Sequence, residues 1–171
     1  LTSVDDMRNA FATFVGMGGI IPEPSSPEQY YFNAKLSELK GDYGNARRYY
    51  TIYFQSDIEC IDPHLRFIQL LKVQEGQVGA RETYQQVVKS SGSVVHELGG
   101  ALIWDRANRI ANLETFIQEN PNCGPAYYLL SNEYSEEKLG TRTLEDKRKE
   151  RHNLHRFNQM DSEGKVVRWF V

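Results

Sequence analysis

Three observations predict an all-α fold of antiparallel helix pairs, repeated along the chain and stacked as a short α-solenoid. Ala46 and Tyr50 recur as Ala80 and Tyr84, 34 residues further on, a period that a repeated two-helix unit fills. Pro and Gly fall at regular junctions: Ser26-Pro27 and Asp62-Pro63 read as helix starts, and Gly41 and Gly76 as the turns inside two successive pairs. Between these marks the apolar residues recur at helical spacing, as in Ala46, Tyr49, Tyr50, Tyr53 and Phe54.

The elements follow in order. Ser3 with Asp6 reads as a cap and its partner before Met7, Ala10, Phe11 and Phe14, so a helix is expected over 4–15. Residues 1–21 form that helix and its Gly-rich turn, and 22–26 a short linker. The helical domain spans 27–160, and its second helix starts at Ser26-Pro27-Glu28-Gln29 and runs to about Lys40. After the turn at 41–44 a partner helix returns. The next pair opens on Asp62 as cap, with Leu65, Ile68, Leu71 and Val73 as its first apolar face and Val78, Ala80, Tyr84, Val87 and Val88 as its second. Residues 93–119 fit a shortened pair with its turn near Asp105, and 120–125 form the following loop. The last helix, from Thr143 to Met160, is long, polar and poor in apolar residues. The segment 161–171 is rich in Val and aromatics and reads as a short C-terminal strand or the start of a further domain.

Composition narrows the class. In 171 residues, 40% apolar and 25% charged describe one soluble globular domain. No apolar run reaches the roughly 18 residues of a membrane helix, and no targeting signal is visible. A soluble, cytoplasmic module without membrane association is expected. The start at Leu1 and the apolar end at Val171 lead to the expectation of a piece of a longer protein. Residues 138–168 hold nine Lys or Arg against five Asp or Glu, while the whole chain carries −3, so a basic last helix sits on an acidic body. Cys60 and Cys123 lack metal-like or redox spacing.

Within 120–134, Tyr127, Leu130, Ser131 and Tyr134 occupy the slots W-x2-L-G-x2-Y. With the 34-residue recurrence, the stretch from Ser26 to Met160 resembles a tetratricopeptide-repeat array or a related helical-repeat family. The resemblance implies a right-handed solenoid with a concave groove, acting as a protein-protein interaction or scaffolding module for a peptide or partner domain. In that family the groove is lined from the first helix of each repeat. The corresponding positions hold Glu28, Tyr31, Lys35 and Glu38 in the first repeat and Pro125, Tyr128, Asn132 and Ser135 in the last. Tyr31, Lys35, Glu38, Tyr128 and Asn132 are therefore the candidate contacts, set against the plainer alternative that the tyrosines pack on neighbouring helices. Of the Lys and Asn side chains with which some relatives clamp a terminal carboxylate, only Lys35 and Asn132 have counterparts here. The partner is a protein or peptide whose identity the sequence does not give.

Other chemistry finds little support. No nucleophile signature occurs, the glycines at 16–19 lack a phosphate-loop pattern, and no cofactor is implied. His152 and His155 share a helix face, but Arg148, Lys149, Arg151 and Arg156 surround them with positive charge, so no metal site is expected. The alternative function is contact with nucleic acid or another polyanion through Lys147, Arg148, Lys149, Arg151 and Arg156. Glu145, Asp146 and Glu150 interleave that stripe and favour an ordinary solvated face instead.

Overall fold

The computed structural model describes residues 23–56, 58–88, 93–135 and 140–162. Among them the chain is all-helical, with seven helices and no strand. These are α1 (Pro27–Leu39), α2 (Tyr43–Tyr53), α3 (Ile61–Val87), α4 (Val94–Leu102), α5 (Arg106–Glu119), α6 (Gly124–Glu133) and α7 (Leu144–Ser162). The helix expected over 4–15 and the strand expected toward Val171 lie outside the described residues. No described helix is long and apolar enough to cross a membrane.

Local chemistry sets most helix ends. Ser26 accepts from the Gln29 amide ahead of Pro27, Asp42 from the Asn45 amide, and Asp105 from the Asn108 amide, each satisfying a donor the helix cannot. Thr143 and Asp146 bond reciprocally, amide to side chain in both directions, at the head of α7. α3 begins differently from the sequence expectation. Its first residue is Ile61 after an extended Cys60, because the Asp62 carboxylate turns away to accept from the Tyr31 hydroxyl and from Arg66. α3 also breaks at Gly76, where φ is 69°. That left-handed conformation is open to glycine and strained for other residues, and it bends α3 into two helical halves. Val73 and Val78 flank the bend and are 76% and 61% exposed. They were expected on the apolar face, but the reversal of the chain carries both off it.

Each helix packs chiefly on those before and after it, with α1 against α2 and α6 against α7 as the most extensive pairs. One cluster of buried side chains runs through α1 to α6, from Tyr31 to Tyr134. Its first half is aromatic. Tyr50 lies 5.3 Å from Phe67 and 6.1 Å from Tyr31, and Phe54 lies 5.3 Å from Phe67, separations at which ring pairs attract beyond their area burial. Ala46 and Ala80 are fully buried; at a close helix crossing a small side chain leaves the groove that its neighbour fills.

At the centre, the buried His64 ring lies with Nδ1 2.8 Å from the Tyr84 hydroxyl. Its Nε2 has no hydrogen-bond partner among the described residues. A methyl group on Gly99 of α4 would fall 1.7 Å from that hydroxyl oxygen, so Gly99, inside a helix where glycine is ordinarily costly, gives Tyr84 room. Burial, with a smaller effect from nearby His96, pushes the His64 pKa down to about 3 from 6.5. Further along, Glu133 of α6 accepts two bonds from Arg109 of α5, at 2.8 and 2.9 Å, with Arg106 3.6 Å away. Glu133 is 5% exposed, so this fork fixes α5 on α6 from within.

Three outcomes follow from these contacts. Gly99→Ala overpacks against Tyr84 and lowers stability by about 2 kcal/mol, read by urea denaturation; pairing it with Tyr84→Phe recovers part of the loss. Below pH 6.5 the unfolded chain protonates His64 and the folded chain does not, so stability is complete above that pH and falls as pH drops toward 3. The slope contributed is about 1.4 kcal/mol per pH unit, and the difference between wild type and His64→Gln across a pH series measures it. Glu133→Ala strands Arg109 without its carboxylate and costs about 3 kcal/mol; a thermal midpoint unchanged from wild type would show that the pair does not hold α5 to α6.

Candidate functional site

α7 carries few apolar residues, so it docks along one narrow line. Asn153 and Met160 are buried, Phe157 lies 5.3 Å from Tyr128 of α6, and the Arg142 guanidinium pairs with Glu150 at the helix start. α5 also packs against α6. α5 and α7 thus flank α6 and meet through long side chains, with Lys149 Nζ 3.9 Å from Glu114 and the Tyr134 hydroxyl 3.2 Å from the same carboxylate. The space between them is an open groove of about 540 Å³.

Its floor is apolar. Tyr127 and Leu130 of α6 are buried beneath it, and Ile117 of α5 packs at its edge. The Tyr127 hydroxyl donates to the Pro121 carbonyl at 3.1 Å, which pins the ring at the loop end of the groove. The wall from α7 is cationic, formed by Arg148, Lys149 and Arg156 with His152 between them. Arg156 stands over the Tyr127 ring at 5.7 Å and donates to Gln159, a cation–π arrangement. Lys149 lies 5.1 Å from the Tyr134 ring centre and donates to its hydroxyl. That bond holds the ammonium above the ordinary lysine pKa, while burial and Glu114 push the Tyr134 hydroxyl up. Glu145 and Glu114 lie on the lining as well, with Glu145 3.9 Å from Arg148.

The sequence-derived candidates divide between two places. Tyr31, Lys35 and Glu38 come together on α1, but facing α2 and α3. Tyr31 is 3% exposed; its hydroxyl donates to Asp62, and Lys35 lies 4.4 Å over its ring. Glu38 accepts from the Tyr50 hydroxyl, and burial raises the pKa of both groups. These contacts are those of the plainer reading, in which the tyrosine packs on its neighbours. Tyr128 is 41% exposed with its ring against Phe157 of α7, and neither it nor Asn132 lines the groove.

The basic stripe is split as well. Arg148, Lys149 and Arg156 face the groove, whereas Lys147 and Arg151 are exposed outside it. His152 lines the groove and His155 does not. Sequence reasoning found the motif residues Tyr127 and Leu130 but not the groove above them, and it missed Ile117 and Glu114 on α5. The spacing of Glu145, Lys149, His152 and Arg156, every third or fourth residue with Arg148 beside Lys149, is the signal that places one wall on one helix face.

The arrangement can hold a segment of chain by an apolar floor and one charged wall; among the described residues no cluster of metal-ligating side chains accompanies it. In comparison with known proteins, no family model and no curated protein matches this chain.

Proposed function

We propose that this chain is a protein-interaction module built of tetratricopeptide-like helix pairs, and that the α5–α6–α7 groove receives a segment of its partner. The observation that carries the reading is the groove itself. Ile117, Tyr127 and Leu130 floor an open recess between two helix walls. The packing of each helix on its neighbours supports a repeat-type scaffold, as does the burial of Ala46 and Ala80, the small residues that recur one period apart.

Contact with a polyanion is less well supported. The five cations of the stripe are divided between two faces, Arg148, Lys149 and Arg156 on the groove and Lys147 and Arg151 outside it, so they do not form one continuous track for a phosphate backbone.

A phage-displayed library of short random peptides, panned against the folded chain, tests the reading. Peptides should be enriched over an unrelated helical protein. They should also lose about tenfold or more in affinity for Gln118→Trp, which fills the groove from an exposed position on α5. Enrichment no better than the control, or full binding to Gln118→Trp, removes the groove from consideration.

A further inference from the structure

The charges on the groove walls are unequal in a way that selects among segments. Glu145 and Glu114 approach Arg148 and Lys149 at 3.9 Å, beyond hydrogen-bond range, so these pairs are loose and exposed and exchange readily for another carboxylate. Among the described residues Arg156 has no carboxylate in its contacts, which are to the Tyr127 ring and to Gln159. Lys147 and Arg151 stand exposed on the same helix beside the groove, and they add to its positive field without entering it. The groove is therefore short of negative charge at Arg156, directly above the apolar floor.

From this geometry we infer that the segment the groove takes is acidic and amphipathic: one Asp or Glu meets Arg156, and a large apolar side chain beside it lies against Tyr127, Leu130 and Ile117. This rests on the reading of the groove as a contact for a protein segment. The same face makes a basic segment unfavourable, since its cations would oppose Arg148, Lys149 and Arg156. It also differs from the first-helix face on which the repeat resemblance places binding, because two of its three helices, α5 and α7, are the second members of their pairs.

Three synthetic eight-residue peptides test the inference, one alternating Glu with Leu and Phe, one with Gln at each Glu position and one with Lys there. Each is labelled and titrated by fluorescence anisotropy at about 150 mM salt. The Glu peptide should bind about tenfold more tightly than the Gln peptide, as expected for one or two charge-assisted hydrogen bonds. The Arg148→Glu/Arg156→Glu double variant should lose that preference and favour the Lys peptide. Both side chains line the open groove and neither belongs to the buried core, and circular dichroism verifies that helix content is retained. Equal binding of the Glu and Gln peptides, both blocked by Gln118→Trp, overturns the charge inference and leaves the groove reading standing. No peptide binding, with a 20-nucleotide oligothymidylate bound in a steeply salt-dependent manner, overturns both and assigns α7 to polyanion contact.

Discussion

A core rich in tyrosine loses stability for each hydroxyl it buries without an acceptor, and much of this structure follows from that constraint. Leaving a buried hydroxyl unpaired costs about 1–3 kcal/mol, so the partners decide which helices meet and in what register. Tyr31 of α1 reaches Asp62 of α3, and Tyr50 of α2 reaches Glu38 of α1. Tyr84 reaches His64 across the bend of α3, and Tyr134 of α6 reaches Glu114 of α5. Each bond ties its helix to a neighbour that the rings alone could grip in several ways. The Tyr53 hydroxyl has no such partner among the described residues, and burial accordingly pushes its pKa up.

The groove arises where this scheme runs out of apolar material. α1 to α6 share one core, but α7 brings only Phe157 and Met160 to the packing, for its Leu144 and Leu154 are exposed and its other side chains are polar. A helix so poor in apolar surface can cover one neighbour and not two. α7 lies on α6, and its long charged side chains span the remaining distance to α5. Arginine and lysine suit that gap, since their stems lie along aromatic rings while their heads stay in water, as Arg156 does at Tyr127 and Lys149 at Tyr134.

Much of the architecture was legible in the sequence because local chemistry dictates it. Ser26-Pro27 announces a helix start through donors that must be satisfied nearby, and the turns read at 41–44 and near Asp105 fall where Asp42 and Asp105 cap the helices that follow. Asp62 misled because its carboxylate, free to cap in an isolated strip of sequence, is claimed by a hydroxyl 31 positions away. The same distance in sequence hid the role of Tyr31: spacing shows that a tyrosine lies on a helix face, whereas the presence of α3 against that face is a tertiary fact. Gly99 carried a readable sign, a glycine inside a helical pattern, but its reason is the Tyr84 hydroxyl on another helix. The groove required three helices to be placed before its floor and wall could be recognised as one surface.

The docking of α7 has a consequence for what the groove is. One of its walls belongs to a helix that rests on a single neighbour, so the recess exists only while that helix is seated, and α1 to α6 can keep their shared core without it. The energy of seating α7 is thus included in any affinity measured at the groove, and an occupant that holds Arg148 or Arg156 also holds the helix in place. On the proposed function, recognition and the completion of the last helix pair are therefore one equilibrium, in which the partner segment acts as part of the fold.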